Sequence, residues 1–145
     1  MTLSVKQLSG VLENKPGALK ALTAALAESG IDMRAFSLAE TSDFGIARII
    51  VDDVDKTAAV LREAGFVHSV TPVIGVALSD TPGGLDSILQ VLADAQVNIE
   101  YMYAFLGGRE NAAYMIFRVA DDAKASAALS EQGIRLVEAE EMANL

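Results

Sequence analysis

The stretch ENKPGAL, residues 13–19, separates an apolar run from a segment with apolar residues at helical spacing. Sixty-six residues later SDTPGGL, residues 79–85, occupies the same kind of place. Asn14 and Asp80 each stand two positions ahead of a proline. Pro16 and Pro82 each precede a glycine, and Leu19 and Leu85 each open an apolar series. A turn that occurs twice in 145 residues points to an internal duplication, and a duplication determines the architecture.

Extending outward at that offset, Leu22 meets Ile88 and Leu26 meets Leu92, while Ile31, Asp32 and Met33 fall on Val97, Asn98 and Ile99. Two additional residues in GGREN move the offset to 68, after which Ile49 and Val51 meet Phe117 and Val119, and Gly65 meets Gly133. Each copy begins with a strand (3–12; 73–78), followed by a helix read from the spacing of Leu19, Leu22 and Leu26, or of Leu85, Ile88 and Leu92. Two strands joined by a turn come next (31–40 and 45–51; 97–107 and 111–119). A shorter helix (55–64; 123–132), preceded by capping aspartates, and a last strand (66–72; 134–138) complete the copy. The order β-α-β-β-α-β, twice, predicts an α+β protein of two ferredoxin-like units, with antiparallel sheets and helices on one face. The expected domains are 1–72 and 73–145, joined side by side near Pro72 without a flexible linker.

Finer expectations follow from the same alignment. Gly30 suits the left-handed position that ends the first helix, whereas the second copy has Gln96 there and is expected to end its helix differently. Ile50, Met102, Leu106 and Ile116 are expected on the sheet faces away from the helices, where a solvated sheet would carry polar residues. That face is therefore expected to be covered by a second sheet or subunit, which predicts a homo-oligomer. The tail 138–145 (EAEEMANL) reads as a frayed acidic terminus.

Composition narrows the function classes. The chain is 52% apolar, with 11 basic against 20 acidic residues and a net charge of −9. Such an acidic surface repels phosphate backbones, and no Lys/Arg run with interleaved aromatics occurs, so nucleic acid is not an expected partner. There is no cysteine, which excludes disulfides and thiolate metal sites. No basic-then-apolar leader and no apolar run of about 18 residues occurs, so neither export nor a membrane is expected, and a cytoplasmic protein is. His68 is the sole histidine and reads as a surface or edge residue, while Asp52, Asp53, Asp55, Asp121 and Asp122 read as helix-start acids rather than a divalent-ion loop. No nucleophile–base spacing or Gly-rich phosphate loop appears, so the chain is expected to be neither an enzyme nor a cofactor carrier.

The β-α-β-β-α-β unit, with NKPGAL after its first strand and GIDM or VNIEYM opening its second, resembles the ACT domain. The resemblance covers residues 3–72 and 73–138, a tandem pair. It implies a regulatory module that binds an amino acid where two ACT domains meet, the turn of one facing the second strand of its partner. Physical chemistry agrees with a small-anion site at the turn. Glycine lets a ligand approach the backbone, and the first-turn N–H groups of Gly17, Ala18 and Leu19 present partial positive charge.

Carried onto this sequence, the resemblance gives a ligand site of Asn14, Lys15, Pro16, Gly17 and Ala18 facing Asn98. It also gives a second, degenerate site of Asp80, Gly83 and Gly84 facing Asp32. The asparagine pair can both donate and accept. The aspartate pair only accepts, and two such charges about 4 Å apart repel by roughly 4 kcal/mol at an effective dielectric near 20. Asp80 is further expected to cap the helix that follows it. The leading expectation is an amino-acid sensor that signals through conformation or through a metabolic enzyme or regulator bound in trans. The alternative is a ligand-independent regulatory subunit or adaptor.

Overall fold

A computed structural model describes residues 4–105 and 112–144. The elements run β1 (Ser4–Glu13), α1 (Ala18–Glu28), β2 (Met33–Glu40), β3 (Phe44–Val51), α2 (Val54–Glu63), β4 (His68–Ser79), α3 (Gly84–Asp94), β5 (Ile99–Ala104), β6 (Ala112–Val119), α4 (Asp122–Glu131), β7 (Leu136–Val137) and α5 (Ala139–Asn144). They form two compact units, one of Lys6–Thr71 and the other of the residues from Pro72 onward with Ser4 and Val5. The βαββαβ order is present twice. The strands read separately at 66–72 and 73–78 are one continuous strand, β4, with Pro72 inside it.

In the first unit β3 lies between β2 and β1, antiparallel to both, with Ile49 opposite Phe36 and Leu8. Its helix-side face supplies Leu8, Leu12, Ala47, Ile49 and Val51 to a core closed by Leu22 and Leu26 of α1 and Leu61 of α2. In the second unit β6 lies between β5 and β4, and β7 pairs with β4 on its other side. Ile74, Val76, Phe117 and Val119 there pack with Ile88 and Leu92 of α3 and Leu129 of α4. The alternation read in β3 and β6 therefore places the expected residues on the helix side. Ile50 and Ile116, on the opposite faces, are also fully buried.

Met102 is the exception. It packs with the helix-side core and stands opposite Phe117. The cause is a bulge: Ile99 pairs with Val119 and Tyr101 with Arg118, leaving Glu100 extra and inverting the faces beyond it. The first unit carries the same bulge at Arg34, between the pairs Met33–Val51 and Ala35–Ile50. Leu106 lies outside the described residues.

The shorter helices are capped as expected: Asp53 accepts from Lys56 N–H at 3.0 Å and Asp121 from Lys124 N–H at 3.0 Å. Gly30 ends α1 in the left-handed conformation as expected, but the end of α3 departs from expectation. Gln96 adopts the left-handed conformation of Gly30, at φ 58° against 70°. Both ends close with the same bonds. Gly30 N–H reaches Ala27 O at 3.1 Å and Ile31 N–H reaches Leu26 O at 3.1 Å, and Gln96 and Val97 repeat this on Ala93 and Leu92 at 3.0 and 2.9 Å. Chain geometry at the helix end thus overrides side-chain preference. Left-handed backbone costs a residue with a Cβ about 1–2 kcal/mol, so Gln96→Gly is expected to stabilise the protein by about 1 kcal/mol and raise its melting temperature by about 2–4 °C. Differential scanning calorimetry checks this.

The tail is not frayed. Residues Ala139–Asn144 form α5, and Met142 is 1% exposed. A Cβ at Gly75 would stand 2.6 Å from Met142 Cε, so the bare backbone of β4 supplies the seat for this side chain. Asn144 Nδ2 donates to Glu140 O at 2.7 Å. One buried methionine in an acidic segment has no periodicity to reveal it. Met142→Ala is expected to cost roughly 2–5 kcal/mol, measured by urea denaturation, whereas truncating a frayed tail residue would cost nothing.

Candidate functional site

The repeated turns have one geometry. Lys15-Pro16-Gly17-Ala18 closes with Ala18 N–H on Lys15 O at 3.3 Å, and Thr81-Pro82-Gly83-Gly84 closes with Gly84 N–H on Thr81 O at 3.1 Å. Proline at the second position and glycine at the third, with Gly17 at φ 85° and Gly83 at φ 86°, make these type II turns. Gly17 and Gly83 are the N-caps of α1 and α3, so Asn14 and Asp80 lie three residues too early to cap them. The cap expected of Asp80 is not formed. Ala18 N–H is likewise committed to the turn, which leaves the first-turn N–H groups of Leu19 and Lys20 without intrahelical partners.

Asn14 instead fastens the turn to the β2–β3 hairpin. Its Nδ2 donates to Thr41 O at 3.1 Å and Glu40 Oε2 at 3.3 Å, and its backbone N–H donates to Asp43 O at 2.9 Å. Two donors are thereby engaged, and Oδ1 remains as an acceptor. Lys15 pairs with Glu13 at 2.9 Å in full solvent, and that ammonium holds the Glu13 carboxyl below its ordinary range.

These residues border a cleft of about 240 Å³ at the end of the first unit's sheet. Leu12, Ala18, Leu19 and Leu38 form its apolar floor and Gly45 a wall; Glu13, Asn14, Lys15 and Glu40 make a charged rim. Leu38 is 49% exposed. Leu38 and Glu40 went unnoticed in the sequence, because they read as ordinary alternation in an edge strand. Their alignment with the turn emerges only from the β2–β3 register.

The second turn borders a different space, a groove of about 640 Å³ between the end of β4 and the segment Gly133-Ile134-Arg135. Arg135 donates to Glu141 of α5, and this bond is the main reason its guanidinium is held still more firmly protonated. Sequence counterparts of the first cleft are altered. Thr81 stands where Lys15 does, Ala104 where Leu38 does, and Leu106, outside the described residues, where Glu40 does. Gly84 replaces Ala18 for a steric reason: a Cβ there would collide with Ser79 O.

The strand-entry residues also differ. Asp32 accepts from Arg34 Nη1 at 2.6 Å, so its charge is already paired within its own unit. Its backbone exchanges bonds with Asp52 at 3.1 Å. Asn98 is exposed and accepts from Ala120 N–H at 3.1 Å. Two residues on, Glu100 pairs with Arg118 at 3.5 Å, and Arg118 also donates to Pro72 O at 3.0 Å. Asn14, Lys15, Pro16, Gly17, Ala18 and Asp32 thus belong to the first unit, and Asp80, Gly83, Gly84 and Asn98 to the second. Among the described residues no group of three or more His, Asp or Glu side chains could hold a metal ion, and no helix is long and apolar enough to cross a membrane.

Two βαββαβ units, each with a Pro-Gly turn ahead of its first helix, define a tandem ACT protein. The family profile described as an ACT domain pair matches residues 1–145, and the chain belongs to that family. It is similar in structure to protein BT0572 from Bacteroides thetaiotaomicron, at 36% identity and TM-score 0.92, over 99% of this chain and 98% of that one. The ligand-free regulatory subunit of aspartate kinase from Thermus thermophilus shares the fold at 20% identity and TM-score 0.67, over 90% and 92% of the two chains. The regulatory subunit of aspartate kinase from Thermus flavus does so at 22% and 0.59, over 88% and 90%. No curated protein is a significant sequence match.

Asp122, in the first turn of α4, has a carboxylate oxygen shielded from water with no hydrogen-bond partner. Desolvation raises its carboxyl above the ordinary value against the pull of Arg118, with Asp121 and Glu100 adding to the rise. A carboxyl that binds its proton more tightly when folded loses stability as pH rises from the unfolded value through the folded one. Asp122→Asn is therefore expected to raise the melting temperature slightly at pH 7. Asp122 is only half-buried, so the effect is small. The difference vanishes near pH 3, where both forms are neutral; thermal scans at the two pH values check it.

Proposed function

We propose that this ACT domain pair is a sensor of a free amino acid, acting through its own conformation or a bound partner. Its competent site is the turn Asn14, Lys15, Pro16, Gly17 and Ala18, completed at an ACT–ACT interface by Asn98. The turn of Asp80, Gly83 and Gly84, with Asp32, is the degenerate counterpart. The observation that carries this reading is the cleft of about 240 Å³ beneath Asn14, whose rim holds both an ammonium and carboxylates around an apolar floor. A zwitterion needs that combination. The loss of the lysine and the leucine from the corresponding positions of the second copy supports the asymmetry.

A regulatory role fits the family and the fold shared with the two Thermus proteins, which are regulatory subunits. The proposed setting is a cytoplasmic homo-oligomer that reports to a metabolic enzyme or regulator in trans. The second reading, a ligand-independent adaptor, is favoured by the exposed Phe44 and Val11, two large apolar side chains of β3 and β1 at 52% and 40% exposure. Titration calorimetry across the amino acids separates the two. One strong site per chain, abolished by Asn14→Ala, is expected. Two equal sites would remove the degenerate assignment, and no heat with any amino acid would favour the adaptor. A ligand at about 100 times its dissociation constant adds roughly 2.7 kcal/mol, a shift of several degrees in a thermal scan.

A further inference from the structure

We infer that the ligand is an α-amino acid with an aliphatic side chain, seated in the cleft of the first unit with its side chain on Leu12, Leu19 and Leu38. The inference rests on the sensor reading above and names the ligand class of that same site.

Size limits the ligand first. The volume of about 240 Å³ is below the range of roughly 300–1,000 Å³ typical of pockets for drug-sized ligands. The occupant is a small metabolite. The polarity of the rim then fixes its headgroup. Glu40 accepts one bond from Asn14, and a carboxylate has further acceptor sites. Asn14 has engaged its donors, so what it offers the cleft is Oδ1, another acceptor. A carboxylate and an amide oxygen in one cleft lining suit an ammonium. Lys15, paired with Glu13 in solvent, can exchange it for a ligand carboxylate at little cost.

The floor fixes the side chain. The apolar lining is Leu12, Ala18, Leu19 and Leu38, and the polar lining, Glu13, Asn14, Lys15 and Glu40, is what the ammonium and carboxylate of the ligand engage. A polar ligand side chain buried against that apolar lining would lose its water and gain no partner. Leu38 is 49% exposed at the cleft, an apolar surface that a ligand alkyl group would cover. Ala104, at the corresponding position of the second unit, is exposed but offers a single methyl group.

The experiment is calorimetry on the intact chain with leucine, isoleucine, valine and methionine against alanine, threonine, lysine, aspartate and phenylalanine. Each buried methylene adds about fourfold in affinity, so leucine is expected to bind on the order of fiftyfold more tightly than alanine. The α-keto analogue of leucine, which lacks the ammonium, is expected to bind at least tenfold more weakly than leucine. Leu38→Ser, at a half-exposed position that leaves folding intact, is expected to collapse the leucine-to-alanine ratio. Glu40→Gln is expected to weaken leucine while leaving the keto analogue unchanged. Tightest binding of threonine, lysine, aspartate or phenylalanine, or an unchanged ratio in Leu38→Ser, overturns the aliphatic class while the sensor reading stands. Absence of binding by every amino acid overturns both.

Discussion

A single backbone hydrogen bond, from Ala18 N–H to Lys15 O across Pro16-Gly17, fixes how the first strand hands over to the first helix, and Gly84 N–H to Thr81 O repeats it. The type II turn needs φ near −65° and then positive φ, which proline and glycine supply with the least strain. Because the glycine is also the helix N-cap, the turn sets where the helix begins and hence which of its residues point at the sheet. Leu22 and Leu26, or Ile88 and Leu92, then meet the sheet at the depth of Ile49 and Phe117. The same turn leaves the preceding residue, Asn14 or Asp80, without a capping duty. That residue is thereby available to bind the hairpin, as Asn14 does, or a ligand.

A second constraint is the bulge at Arg34 and Glu100. It sits two residues after the strand-entry position in each copy and turns one side chain out of the alternation. In the first copy that side chain, Arg34, pairs back onto Asp32; in the second, Glu100 pairs with Arg118 rather than turning back to Asn98. The bulge therefore governs what the strand entry presents. An aspartate with its own arginine presents a closed ion pair, whereas Asn98 presents a neutral amide.

The duplication, the βαββαβ order and the helix-side residues of β3 and β6 were legible because apolar spacing and Pro-Gly turns are local signals. What escaped had a non-local or a backbone cause. Met102 changed face because a bulge two residues away is invisible in an apolar strand that tolerates either register. Gln96 took a left-handed conformation because the helix end required it, a demand that the residue type conceals. The seat of Met142 depends on Gly75, some sixty-seven residues earlier. At the candidate site the turn was legible, but Leu38, Glu40 and Arg135 were not, since their relevance comes from what register and turns bring beside them.

Divergence between the copies is not simply loss in one of them. Where the first copy has Ala18, Lys15 and an exposed Val67, the second has Gly84, Thr81 and Arg135. The second copy has lost the cation on its turn and carries one across the groove instead, where Glu141 holds it and so ties the C-terminal helix to the groove's edge. Gly84 lets that turn close against the Ser79 backbone, and Gly75 lets the Met142 side chain of α5 seat on β4. The second copy has thus been shaped for its own internal closure, while the first retains a charged rim over an apolar floor that nothing within its own unit fills. That division of labour, rather than an aspartate in place of an asparagine taken alone, is the physical basis for expecting a ligand at one turn and not at the other.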